Sequence, residues 1–381
     1  MLRPYRVLCV IAARPNLMKM APLLRAFAPP QTLVETVLVH TGQHYDADMD
    51  AQFFGALDLA QPAFRLDVGS ASHAQQTAEV MRRFEPVLEQ TVPSAVLVVG
   101  DVNSTLACAL TAAKRDIPVL HVEAGLRSYD RGMPEEINRV LTDQLAELLF
   151  TSEASATSNL LREGVAAQRI HFVGNVMIDT LLRQLPAAPS AAEVLLQAHL
   201  AGFVADGAPY ALLTLHRPAN VDDPQRLRAL MTAMVKLSED VPVLFPLHPR
   251  TRNMLKHFGL AQLMDAPRLA CLPPQSYHNM LGLMKNACMV LTDSGGVQEE
   301  TTVLRVPCLT LRDNTERPVT VNEGSNAIAG RDPAVILALS RDILRYGGKV
   351  GRIPQYWDGH AAERIASVTT SWLQNRRERR P

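Results

Sequence analysis

The sequence has no G-x-G-x-x-G turn after its first apolar run, so a tightly held dinucleotide is not supported. No apolar run approaches the roughly 20 residues that span a bilayer. The N-terminal run Val7–Ala13 is short, and Arg14 and Lys19 follow at once. It therefore reads as a buried first strand and not as a signal peptide. Cysteine is sparse and odd in number: Cys9, Cys108, Cys271, Cys288 and Cys308 are widely scattered, with neither a disulfide framework nor zinc spacing. They read as small core residues of a reducing compartment, which makes the cytoplasm the default location. A charge excess of one sign is also missing: 38 Lys and Arg balance 38 Asp and Glu. That argues against a general nucleic-acid binder, whose affinity comes from basic clusters. The one basic stretch, Asn375–Arg380, reads as a solvated helix end.

What is present is apolar mass with a rhythm. The 381 residues are 47% hydrophobic, enough for two domains of roughly 150–200 residues each. In the first half the apolar runs are Val7–Ala13, Val37–Thr41, Ala95–Gly100, Pro118–Glu123, Leu148–Ser152 and His171–Gly174. They are rich in Val, Leu and Ile and do not alternate, which fits parallel strands buried on both faces. A helix is predicted over Pro134–Leu149, with Ile137, Val140, Leu141, Leu145 and Leu148 on one face. The second half repeats the pattern with Tyr210–Leu215, Val241–Leu247, Arg268–Leu272, Cys288–Asp293 and Val306–Leu311. Helices are expected over Asp223–Leu237 and Val297–Leu304. Strands alternating with helices give right-handed βαβ units. The expected fold is α/β: two Rossmann-like domains with parallel sheets facing a central cleft. The join falls between Gly174 and Pro209, with Gln184–Ser190 as a linker or hinge.

In such sheets the ligand binds at the carboxyl ends of the strands. After the first strand, Arg14 and Lys19 stand beside a helix start, which suits a phosphate or carboxylate. After later strands stand Asp101, then Glu123, and Glu135 or Glu136 at the start of the next helix. A poorly hydrated strand-end carboxylate is suited to acid–base work, and each of these also fits a helix cap or first-turn acid. No His–Asp pattern beside them favours a metal. In the second half His216 and Arg217 end one strand and His248 ends the next. His216 can move a proton and Arg217 can neutralise a phosphate, while His248 also fits a structural cap. Thr292-Asp293-Ser294-Gly295-Gly296 then runs from strand to helix, where free amides and the Ser294 hydroxyl cradle phosphate. Glu300, one turn further on, can accept from a ribose diol. Arg312 and Arg317 converge after the last strand.

These segments together resemble the non-hydrolysing UDP-N-acetylglucosamine 2-epimerases of bacteria and archaea. The resemblance runs from about Val7 to about Gly330. It covers Arg14–Lys19, Thr41-Gly42-Gln43-His44-Tyr45, Gly100–Ser104, His121–Arg127, Pro134–Arg139, Leu215-His216-Arg217, Asp293–Gly296 and Arg312–Pro318. It implies a GT-B-like fold, a C-terminal helix (residues 361–381) that returns to a first domain of residues 1–175, and a second domain of residues 176–360. It implies interconversion of UDP-N-acetylglucosamine and UDP-N-acetylmannosamine by elimination of UDP to a glycal and re-addition. No nicotinamide cofactor and no metal are implied, and a homodimer is. Asp101, Glu123 and Glu135 match the catalytic carboxylates without dividing base from acid. His216 matches the catalytic histidine and would stabilise the departing diphosphate. Arg14 would act likewise with Lys19 nearby, Ser294, Gly295 and Gly296 would hold phosphate, Glu300 the ribose, and Arg217 and Arg317 the sugar-phosphate pocket.

The sequence departs from the family at two places. Ala12 stands where a glycine is usual, and Tyr45–Met49 differs from members activated by their own substrate, which speaks against that regulation. Thr315–Pro318 favours plain N-acetylglucosamine over a diacetamido uronic acid. The competing readings are a hydrolysing epimerase that releases free sugar, a GT-B glycosyltransferase that needs an acceptor, and a two-domain sugar-binding protein.

Overall fold

The computed structural model describes residues 5–12, 14–29, 32–42, 54–55, 57, 59–205 and 207–378. The segment Gln43–Met49 lies outside them. The chain forms two compact units, one of Met1–Thr180 with Gln355–Pro381, the other of Leu181–Pro354. The crossing at Thr180–Leu181 falls ahead of the proline-rich stretch. That stretch is packed: Ser190 and Glu193 form a capping box for the helix Ala191–Gln197, and Lys285 Nζ donates to Ala188 O at 2.6 Å.

In the first unit, strands β1 (Tyr5–Ile11), β2 (Val34–His40), β3 (Phe64–Arg65), β4 (Ala95–Val99), β5 (Val119–Val122), β6 (Leu148–Thr151) and β7 (Ile170–Phe172) form one sheet in the order β3-β2-β1-β4-β5-β6-β7. In the second, β8 (Ala211–Thr214), β9 (Val243–Pro246), β10 (Leu269–Leu272), β11 (Met289–Thr292), β12 (Cys308–Thr310) and β13 (Asn326–Ile328) follow the order β10-β9-β8-β11-β12-β13. The pairings are parallel, as the non-alternating runs imply. Every residue of β4 is buried, because helices cover both faces of the sheet. The edge strands β3 and β13 are too short and too exposed to form an apolar run, and the sequence pattern misses them.

Each order reverses once, between β1 and β4 in the first unit and between β8 and β11 in the second. Loops leaving two such neighbouring strands diverge and open a crevice at the carboxyl ends. Lys19 and Asp101 follow the first pair, and His216 and Ser294 follow the second.

One helix corrects the sequence reading. The helix Pro134–Leu145 starts with proline in its first turn, as expected, but ends at Leu145, and Leu148 belongs to β6. Its buried face is polar, made of Glu136, Asn138, Arg139, Thr142 and Asp143. Ile137 and Leu141 are 41% and 46% exposed. Ile137 and Leu141 face out while Leu145 packs against the core, because the inward face near the helix start serves the strand-end loops described below.

The last helix, Ala361–Glu378, belongs to the first unit. The carboxylate of Asp179 accepts from the amides of Ala361 at 3.1 Å and Ala362 at 2.7 Å, a cap supplied from a distant segment. Trp357, just before it, is buried and donates to Ser152 O at 2.9 Å. Ala12 is buried and is not among the residues at positive φ, so its backbone does not require the family's glycine.

Candidate active site

β4 ends at Val99 and is followed by Gly100, at φ +72°, which turns the chain just ahead of Asp101. β5 ends at Val122 and is followed by Glu123, at φ +66°. A left-handed conformation costs a non-glycine residue about 1–2 kcal/mol, and such strain gathers where position matters. A side chain at Gly100 would put its Cβ 3.3 Å from Glu123 Oε2, 3.6 Å from Lys19 Nζ and 3.8 Å from Asn16 Nδ2. Asp101 and Glu123 therefore flank one bare turn.

Glu123 is buried and paired with Lys19 Nζ. Lys19, expected with Arg14 beside a phosphate or carboxylate, is the counter-ion of this carboxylate. Asp101 is a quarter exposed, and Arg139 meets its Oδ2 through Nε at 2.9 Å and Nη2 at 2.7 Å. The neighbouring glutamates separate cleanly. Glu136 is buried and accepts from the amides of Ser128 and Tyr129 at 2.9 Å each and from Arg139 Nη1 at 2.6 Å. It holds a loop. Glu135 is half-buried and has no partner among the described residues, so of the two it is the carboxylate available for chemistry. Arg14 opens the helix Arg14–Phe27, and its side chain lies outside the described residues.

In the second unit Asp293, fully buried at the end of β11, gathers donors from the end of β8. The amides of His216 and Arg217 reach its Oδ2 at 3.0 and 2.8 Å, and Asn220 Nδ2 at 3.2 Å. His216 Nδ1 lies 2.9 Å from Oδ1. Burial pushes the Asp293 carboxyl up, but the bonds and charge of His216 and the two amides hold it below the ordinary value. His216 is 37% exposed, and with Nδ1 committed it offers Nε2. His248 accepts from the amide of Arg250 at 3.2 Å and caps the helix Pro249–His257.

Ser294, Gly295 and Gly296 begin the helix Gly295–Leu304. The Ser294 hydroxyl makes no capping bond, and neither glycine sits at positive φ. A Cβ at Gly295 would meet nothing within 4 Å, so the glycine leaves space beside free helix amides. Three guanidinium groups follow on two buried carboxylates. Arg312 Nη1 is 2.8 Å and Arg217 Nη2 3.8 Å from Glu316, and Arg317 Nε is 2.5 Å from Glu299. Burial pushes Glu316 up, but Arg312, Arg317 and Arg217 outweigh it and hold the carboxyl at about 2. The surplus of positive charge suits a polyanion such as a diphosphate. Asp293 and Glu316 lie inside segments that the sequence singles out and Glu299 beside one, but their partners are set by the fold.

Glu300 is buried and accepts from the Tyr277 hydroxyl at 2.8 Å. Burial pushes its carboxyl from the ordinary 4.5 to about 8, with Glu299 adding to the rise and Tyr277 opposing it. The folded state thus holds a proton that the unfolded state releases, and stability falls as pH rises from about 4.5 to about 8. Glu300→Gln removes that loss. The melting temperature of the variant relative to the parent is expected to rise between about pH 5 and about pH 9, which calorimetry at both values checks.

The chain matches the family model described as UDP-N-acetylglucosamine 2-epimerase over residues 30–370. It is 42% identical to the UDP-N-acetylglucosamine 2-epimerase of Methanocaldococcus jannaschii over 364 residues, 95% of this chain and 98% of that one. It is 40% identical to the UDP-2,3-diacetamido-2,3-dideoxy-D-glucuronate 2-epimerase of Pseudomonas aeruginosa over 371 residues, 95% and 98% of the two chains. The crystal structure of the Methanocaldococcus jannaschii enzyme in complex with UDP-GlcNAc and UDP superposes with a TM-score of 0.87 at 40% identity, covering 96% of this chain and 99% of that one.

Proposed function

The chain belongs to the UDP-N-acetylglucosamine 2-epimerase family, and on that premise we propose that it interconverts UDP-N-acetylglucosamine and UDP-N-acetylmannosamine without hydrolysing them. The observation that carries the reading is the pair of carboxylates, Asp101 and Glu123, flanking the bare turn at Gly100. Epimerisation at C2 needs a base and an acid acting on opposite faces of the sugar, and elimination needs help for the departing diphosphate. We assign proton chemistry to Asp101, Glu123 and Glu135 of the first unit, with Arg14 and Lys19 beside them. We assign UDP to the second: His216 and Arg217 to the leaving diphosphate, the open helix start at Ser294, Gly295 and Gly296 to phosphate, Glu300 to the ribose, and Arg317 to the sugar-phosphate pocket. UDP leaves as the C2 proton is removed, giving a glycal, and returns as C2 is protonated from the other face.

Proton NMR of UDP-N-acetylglucosamine with the protein in D2O tests this. The expected result is UDP-N-acetylmannosamine with deuterium at C2 of both nucleotide sugars. Free N-acetylmannosamine with UDP selects a hydrolysing enzyme. A strict need for an acceptor selects a glycosyltransferase. The Pseudomonas aeruginosa relative is named for a diacetamido uronate substrate. Comparing kcat/KM for the two nucleotide sugars decides between them, and Thr315–Pro318 favours the plain N-acetylglucosamine.

The functional form we propose is a homodimer in the cytoplasm. The apolar face of the helix Pro134–Leu145, with Ile137 and Leu141 exposed, supports a self-association surface. The described cysteines are all free, as suits a reducing compartment. Among the described residues no helix is long and apolar enough to cross a membrane. Leu141→Asp is expected to shift the parent dimer toward the 41.8 kDa chain, read by sedimentation velocity.

A further inference from the structure

His121 stands out in β5, a strand otherwise made of Val and Leu. It is fully buried, and so is Asp143 on the polar face of the helix Pro134–Leu145. A buried polar side chain costs stability unless it is bonded, and an aliphatic residue at this position would avoid that cost. The bonds it makes reach both turns that carry the strand-end carboxylates. Its Nε2 meets Gly100 O at 2.9 Å and its Nδ1 meets Asp143 Oδ1 at 2.7 Å. Asp143 Oδ2 accepts from the amide of Gly125 at 3.0 Å and faces Arg127 Nη2 at 2.7 Å. Arg127 in turn makes two bonds to Glu163, at 2.8 and 2.6 Å. A carbonyl can only accept, so the His121 Nε2–H donates to Gly100 O. Gly100 precedes Asp101 directly, and Gly125 lies two residues after Glu123. Both glycines sit at positive φ, and a Cβ at Gly125 would lie 2.4 Å from Ala156 O.

We propose that His121 and Asp143 form a positioning pair that fixes the separation of Asp101 and Glu123 through the turns at Gly100 and Gly125. The proposal rests on the acid–base assignment of those carboxylates. One carboxylate, Asp143, ties one turn through an amide and the other through an imidazole. Loosening it lets the two acid–base groups shift relative to one another, and a misplacement of about 1 Å is enough to cost about 10²-fold in rate.

The test compares His121→Leu, His121→Gln and Asp143→Asn with the parent on UDP-N-acetylglucosamine in D2O. His121→Leu is expected to lower kcat by about 10²-fold with KM within about threefold. His121→Gln, whose amide can still donate to Gly100 O, is expected to recover about tenfold of that loss. The ratio of deuterium entering C2 of recovered substrate to product formed changes in the leucine variant, because the two faces are displaced unequally. A lower folded fraction scales both quantities and leaves the ratio where it was. Asp143→Asn keeps the shape and one acceptor, is expected to shift the same ratio, and decides the matter if the leucine variant does not fold. Parental kcat in these variants, or a loss with an unmoved ratio and no recovery by glutamine, overturns the positioning role. A parent protein that neither exchanges nor epimerises overturns instead the acid–base reading beneath it.

Discussion

Glu123→Gln and Asp101→Asn are each expected to lower turnover by about 10²–10⁴-fold, the usual worth of a positioned acid or base, while the protein stays folded. Either amide keeps the shape and the hydrogen-bonding reach of the acid it replaces but cannot take or give the C2 proton. Removing the Asp101 charge leaves Arg139 still bound to Glu136 at 2.6 Å, so the buried guanidinium keeps a counter-ion. Removing the Glu123 charge leaves Lys19 without its buried partner, at a side chain that retains 14% exposure and can turn toward water. The loss of stability at Asp101 is therefore small beside the loss of rate, and for Glu123→Gln, which breaks a buried pair, melting temperature is measured with turnover. Single-turnover NMR in D2O separates the two groups. If one is the base toward UDP-N-acetylglucosamine, its variant loses C2 exchange in recovered substrate. The variant lacking the acid on the opposite face retains exchange while product falls. The double variant should be no worse than a few times the poorer single variant, since groups acting in one step are not additive. Near-parental turnover in both single variants sinks the carboxylate assignment.

The strands were legible where both faces are buried. β4 and β8 read as unbroken apolar runs because no face of them meets water. The strand-end positions of Asp101, Glu123, His216 and Ser294 followed from that alone. The helix Pro134–Leu145 shows where such reading stops. Its apolar periodicity is real, but periodicity does not say which side faces the sheet, and here the polar side does. Glu135 and Glu136 share a spacing, and only the tertiary bonds of Ser128, Tyr129 and Arg139 to Glu136 tell them apart. Likewise the arginines after β12 were visible as cations, while Glu299 and Glu316, which offset them, were not. Lys19 was visible as a strand-end cation suited to a phosphate or carboxylate, but nothing in sequence places it against a residue 104 positions away.

Asp293→Asn is expected to cost nearly as much turnover as His216→Ala itself, about 10²–10³-fold in each case, the range seen when one donor to a developing anion is removed. Asp293 is the only carboxylate bonded to the His216 ring among the described residues, and it also takes two amides and Asn220. To stabilise a departing diphosphate the ring must present Nε2–H while Nδ1–H stays bound, and a carboxylate at Oδ1 is what stabilises that doubly protonated ring. An asparagine oxygen turned toward the amides presents its NH2 group to Nδ1 instead and selects a neutral tautomer. The substitution also leaves one donor poorly met, at about 1–3 kcal/mol, so melting temperature and kcat must be measured together. Because the folded-state pKa of Asp293 is held below its ordinary 3.8, its stabilisation is present above that value and is lost as pH falls through the lower, folded-state one. The gap in melting temperature between parent and variant should narrow there, whereas the gap in kcat is read near neutrality. If His216 and Asp293 act as one unit, the double variant loses little more than either single variant. A His216→Ala variant without activity beside an Asp293→Asn variant with parental kcat would leave Asp293 a fold-holding residue and His216 acting alone.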